Sequence, residues 1–129
     1  PDLDGVDLRP YLTGAKTGDV HQQLFWRAGP QGAMREGPWK LVHVEDADYL
    51  FDLRTDVGEH HDLAKANPGQ LAKMKAAWLA WSDRMQPPRW GPLNRTGAAN
   101  PGELRRLVEA YIRGEQPDPR SLLYGGGPE

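Results

Sequence analysis

Apolar and polar residues alternate most densely between Leu24 and Ala64, with the two-residue period of strands. Gln22 to Arg27 places Leu24 and Trp26 on one face and Phe25 and Arg27 on the other. Gly29-Pro30 and Gly32 interrupt the run, and Ala33 to Arg35 reads as a short second strand ending in a tight turn at Glu36-Gly37. Trp39 to Val44 is the clearest strand: Trp39, Leu41 and His43 alternate with Lys40, Val42 and Val44. A turn over Asp46 to Asp48 leads into Tyr49 to Leu53, where Tyr49, Phe51 and Leu53 share a side. Connections this short favour antiparallel hairpins, because a parallel crossover needs many more residues.

After a turn at Asp56 to Glu59 the period changes. Asn67-Pro68 has the form of a helix start, with Asn67 as cap, Pro68 at the first helical position and Gln70 where a capping-box partner would sit. Leu71, Met74, Trp78, Trp81 and Met85 follow at spacings of three and four, and Pro87-Pro88 stops the helix. Burying one such stripe does not offset the entropy of ordering the segment, so the helix is expected only when docked on the strands. Leu79 lies off the stripe and is free to touch something else.

A polar linker from Arg89 to Ala99 follows, and Asn100-Pro101-Gly102-Glu103 repeats the helix-start pattern. Leu104, Leu107, Val108, Tyr111 and Ile112 make a second amphipathic helix ending near Gly114. Ahead of the strands, Val6, Leu8, Tyr11 and Leu12 would pack down a loop and a helical turn begun at Pro10. The tail from Asp118 to Glu129 is rich in Pro and Gly, with an apolar patch at Leu122 to Tyr124. The fold class expected is α+β: a small antiparallel sheet of about four strands, a helix packed across it, and an additional helix.

Composition narrows the function. A chain of 129 residues fits one domain, and a net charge of -2 offers no electrostatic footprint for nucleic acid. No apolar run approaches a membrane span and no signal peptide is read, which leaves cytoplasm and periplasm both open. The absence of cysteine excludes disulfides, thiolate zinc sites and a cysteine nucleophile within this chain. Because the sequence opens at Pro1 without Met, it is expected to be part of something longer.

Candidate chemistry is sparse. His21, His43, His60 and His61 form no His-x-His or His-Glu-x-x-His spacing, and adjacent His60 and His61 would point apart in extended chain. His60 and His61 are therefore expected to be solvated turn residues, and His43 a packed or half-exposed strand residue. Trp39, Trp78 and Trp81 would suit stacking on carbohydrate, but the period of Trp78 and Trp81 places them in the core. Arg105, Arg106 and Arg113 read as a solvated helix face.

Five motifs come in order: DGVDLRPYLTG, HQQLFWR, AMREGPWKLV, YLFDLRTDVGEHHDLA, and a helix ending in PPRW. The ordered set resembles the C-terminal region of type I (arylsulfatase-like) sulfatases of the alkaline phosphatase superfamily. The match runs from Leu3 to Trp90, so residues 1–90 form the subdomain and 91–129 a linker, an extra helix and a tail. The resemblance implies a non-catalytic subdomain that braces the catalytic domain of the parent chain. In the parent, a Cys or Ser in a Cys/Ser-x-Pro-x-Arg motif becomes formylglycine, and acidic side chains hold a divalent cation, usually calcium.

This chain is expected to hold neither formylglycine nor metal. Met85-Gln86-Pro87-Pro88-Arg89 echoes the nucleophile motif, but methionine cannot become formylglycine, so the segment alone is expected to be inactive. The resemblance also implies that loops of the subdomain border the substrate pocket. His21, Trp26 and Arg27 are then candidate rim residues, since a guanidinium suits sulfate or carboxylate. The alternative places Trp26 in the core and pairs Arg27 with an Asp or Glu. Two other functions stay open: a stand-alone interaction module, and the same subdomain of a phosphonate or phosphate ester hydrolase. A subdomain without its partner would leave a bare apolar surface, so self-association is expected, through Leu79, the second helix or Leu122 to Tyr124.

Overall fold

The computed structural model describes residues 5–28, 31–86 and 102–116. Outside them lie Gly29-Pro30, the Pro87-Pro88 stop with the PPRW motif, the 89–99 linker, Asn100-Pro101 and the Leu122 to Tyr124 patch. Four strands form an antiparallel meander in the order of the chain: β1 (Gln23–Ala28), β2 (Gln31–Glu36), β3 (Trp39–Val44) and β4 (Ala47–Asp52). Helices α1 (Arg9–Leu12), α2 (Pro68–Ser82) and α3 (Glu103–Ile112) complete the described structure, an α+β fold.

Register follows from the alternation, because a slip of one residue would turn every apolar side chain to the wrong face. Phe25 pairs with Met34, Met34 with Leu41, and Leu41 with Leu50, which makes an apolar row across all four strands. Met74 and Trp78 of α2 lie on that row, with Ala64 beside them, and Met34, Leu41, Leu50 and Met74 are fully buried. Leu71 and Trp81 flank them half-buried, while Met85 falls beyond α2 and is exposed. Trp78 and Trp81 are thus packing residues, the latter stacked on Phe25 with ring centroids 5.2 Å apart.

The opposite face carries Val44, Tyr49 and Phe51, all buried, with Ala33 and Val42 partly so. Leu104, Leu107, Val108, Tyr111 and Ile112 of α3 line a crevice shared with Ala33, Val42 and Phe51, so the apolar stripe of α3 faces the sheet. Gly114, at φ 75, ends α3 in the left-handed conformation that favours glycine.

Several expectations are corrected. β2 runs from Gln31, because Gly32 is a strand residue and not a break. The β3–β4 turn is Glu45-Asp46 rather than Asp46 to Asp48, and Glu45 takes a positive φ of 55. Pro68 does open α2, but the Asn67 side chain makes no capping bond; its amide turns back to the Leu63 carbonyl at 3.5 Å. Val6, Leu8 and Leu12 do not pack down: they are 43%, 50% and 82% exposed, and no residue of α1 is buried. Among the described residues, α1 is a single four-residue turn with no buried side chain, too short to present a face to the sheet.

The two edges of the sheet differ. At β4, the Leu50 N–H donates to Asp62 Oδ1 at 3.0 Å and Leu63 N–H donates to the Leu50 carbonyl at 2.7 Å. Asp62 also accepts from Ala64 N–H at 2.9 Å, which fixes the segment along this edge. Among the described residues, no strand pairs with the outer edge of β1.

Candidate functional site

The three candidate rim residues do not converge. Arg27 lies on the α2 side of β1 and clasps the end of that helix. One guanidinium nitrogen donates to the Ser82 carbonyl and to Ser82 Oγ, each at 3.0 Å, and the other donates to the Gln86 carbonyl at 2.7 Å. The Ser82 carbonyl sits at the negative end of the helix dipole, where a cation is favoured, and the Gln86 carbonyl lies just past it. Arg27 is thus bound to backbone and hydroxyl oxygens rather than to an Asp or Glu. Trp26 projects from the other face and is 49% exposed, so it is not a core residue. His21 precedes β1 and is exposed.

A cluster not anticipated from the sequence lies on the α2 face. His43 and Asp48 are cross-strand partners, and His43 Nδ1 is 2.7 Å from Asp48 Oδ1. Lys75 of α2 donates to the other oxygen of Asp48. The His43 ring leans on Trp78, with centroids 5.2 Å apart. One carboxylate is thus shared by two basic groups in a half-buried setting, an arrangement that ties α2 to the β3–β4 hairpin. The spacing His43-x4-Asp48 across a two-residue turn is the signal that, once the register is known, reveals the pair.

The crevice under α3 has a volume of about 370 Å³ and an apolar lining, with Lys40 and Glu59 at its rim paired to each other. Polar contacts hold α3 over it. Arg105 reaches Asp46 at 3.2 Å and Glu109 at 2.9 Å, and the Tyr49 hydroxyl donates to Glu109 at 3.3 Å. His60 Nδ1 lies 3.1 Å from the Tyr111 carbonyl, with the two rings in contact. Burial, with the Glu109 carboxylate beside it, pushes the Tyr49 hydroxyl pKa up, while the Arg105 guanidinium draws Glu109 down. His60 is therefore engaged with α3, whereas His61 stays solvated, its side chain 81% exposed. Burial raises the Asp56 carboxyl, but the N–H groups of His60 and His61, at 3.0 and 2.7 Å, outweigh it and leave the pKa lowered.

Among the described residues, no three His, Asp or Glu side chains come together to hold a metal ion. No helix among these residues is long and apolar enough to cross a membrane.

No family model matches the sequence. The fold is shared with solved structures. A crystal structure of Ps i-CgsB matches with a TM-score of 0.56 and 24% identity, over 92% of this chain and 24% of that one. A crystal structure of Ps i-CgsB in complex with k-i-k-neocarrahexaose matches with the same values: 0.56, 24%, 92% and 24%. At this identity the likeness shows the fold, and the chain spans about a quarter of the length of these proteins.

Proposed function

We propose that this chain is the C-terminal accessory subdomain of a sulfatase, a sulfuric ester hydrolase, and that it braces the catalytic domain. One observation carries the reading. The ordered motifs from HQQLFWR to YLFDLRTDVGEHHDLA fall on one sheet-and-helix unit, and that unit shares its fold with a quarter-length portion of Ps i-CgsB. The parent's catalytic domain would supply formylglycine and a divalent cation such as calcium. His21 is proposed to border the substrate pocket, with Trp26 at the margin where the subdomain meets the catalytic domain. Arg27, clasped to α2, would act there only by holding β1 in place. The complex of Ps i-CgsB with k-i-k-neocarrahexaose makes that oligosaccharide the first substrate to try.

The test has two arms. The reading frame that encodes this chain should also encode a Cys/Ser-x-Pro-x-Arg motif and acidic metal ligands. The full-length product should release inorganic sulfate while the 129-residue chain does not. A frame without that machinery, or sulfate release by the short chain alone, overturns the proposal. A second reading, a stand-alone interaction module, is favoured by α3, which lies over a crevice on the second face of the sheet from within the chain. A cooperative, monomeric 129-residue protein encoded by its own start codon would support that reading instead.

A further inference from the structure

We propose that the open edge of β1, with Trp26 on it and the apolar arm ahead of it, is the surface that docks on the large domain of the parent polypeptide. This rests on the subdomain reading above. The first argument is the asymmetry of the sheet. An exposed strand edge invites pairing, and folded proteins manage it by covering or blunting the edge. The β4 edge is covered by Asp62 and Leu63, whereas β1 has no such cover among the described residues.

The second argument is apolar surface. α2 packs on one face of the sheet and α3 lies over β2, β3 and β4 on the other, but Trp26 on β1 stays 49% exposed. A lone tryptophan of that exposure is the residue type most enriched at the energetic centre of interfaces.

The third argument is the arm. Val6, Leu8 and Leu12 are exposed, and they precede β1 in the chain, with residues 13–22 between α1 and the strand. A four-residue helix such as α1, with no buried side chain, has little of its own to hold it, because isolated helical turns are unstable in water. It is better accounted for as a segment shaped to lie against another surface. The occupant is a domain of the same polypeptide, since the proteins that share this fold extend about four times further than the part this chain matches. The surface it offers is one that adds to a strand edge and receives an indole.

Amide hydrogen exchange tests this on the full-length product of the gene and on the 129-residue chain. Peptides covering Leu24–Ala28 and Val6–Leu12 are expected to exchange at least about tenfold slower in the full-length protein. Trp26→Arg in the full-length protein should return them to the faster rate, while a peptide covering Leu71–Trp78 keeps its protection and reports that the fold persists. Equal rates for β1 in the two chains overturn the docking. So does protection that appears in the 129-residue chain as its concentration rises, which would make a second copy the occupant. Free exchange at β1 in a full-length protein that still releases sulfate overturns the docking and leaves the sulfatase reading standing. A protected β1 in a polypeptide without sulfatase machinery does the reverse.

Discussion

Gly32 is where one methyl group should do the most damage. A Cβ built there would stand 2.1 Å from Trp78 Cζ2, 2.3 Å from Cε2 and 2.4 Å from Nε1. Carbon atoms in contact settle at about 3.5–4.0 Å, so the indole would have to retreat by roughly 1.5 Å. Trp78 has little room to do so. It is 5% exposed, its Nε1–H donates to the Trp26 carbonyl at 3.1 Å, and the His43 ring lies against it.

Overpacking of this kind costs about 1–3 kcal/mol, and a lost buried hydrogen bond adds about 1 kcal/mol. Strand propensity works the other way, since Ala in a strand interior is favoured over Gly by about 0.5–1 kcal/mol. The steric cost wins, and Gly32→Ala is expected to destabilise the fold by about 2–3 kcal/mol. For a domain of this size that lowers Tm by roughly 10–20 °C, measured by circular dichroism with a parallel denaturant titration. The partner substitution completes the test. Trp78→Leu is costly alone, but adding Gly32→Ala to it should cost little more, giving a coupling of at least about 1 kcal/mol. A Gly32→Ala protein as stable as the parent, or strictly additive costs, would refute the contact.

Other outcomes follow from single contacts. Arg27→Lys loses the forked grip on the Ser82 and Gln86 carbonyls and should cost about 1–2 kcal/mol in denaturant, with faster amide exchange in the last turn of α2. Glu45→Gly relieves a side chain held at φ 55 and should gain about 0.5–1 kcal/mol in a thermal melt. Lys73 and Gln23, at 2.7 and 2.9 Å, hold the Glu36 carboxyl below its ordinary value of 4.5. A depressed carboxylate stabilises the fold above its unfolded pKa and loses that contribution as the pH falls through the folded value. Stability should therefore drop below pH 4.5, and Glu36→Gln should flatten part of that slope in denaturant titrations across pH.

What was legible in the chain was whatever depends on period alone. Trp39–Val44 and the Pro68 start of α2 match the expectation residue for residue, because strict alternation and a proline's fixed φ leave few alternatives. The amphipathic stripe of α3 was also legible, but its direction was not: the second helix was expected to be open to self-association, and its apolar side faces the sheet. Gly32 was read as a break because glycine more often marks a turn; only the register of Trp78 above it shows that the residue is small to admit an indole. Asn67 misled for a related reason: its side chain has a donor as well as an acceptor, and here the donor is used. The arm failed because an apolar residue states a need for cover without saying whether the cover lies in the same chain. Of the candidate site, the exposure of Trp26 and the Arg27 clasp are both tertiary. The His43–Asp48–Lys75 grouping needs a turn placed one residue earlier than the sequence suggested.

The two covers of the sheet are fastened by different forces. On one side Met74 and Trp78 are sealed into side chains that water does not reach. On the other, α3 turns an apolar stripe to the sheet and adds contacts at Asp46, Tyr49 and the His60 turn, of which the exposed Arg105–Asp46 ion pair is the one that salt weakens. Brine should therefore slacken the Asp46 tether of α3 while leaving its apolar stripe, and α2, in place. The meander then behaves as a wall with one fixed panel and one shutter whose outer latch salt can undo.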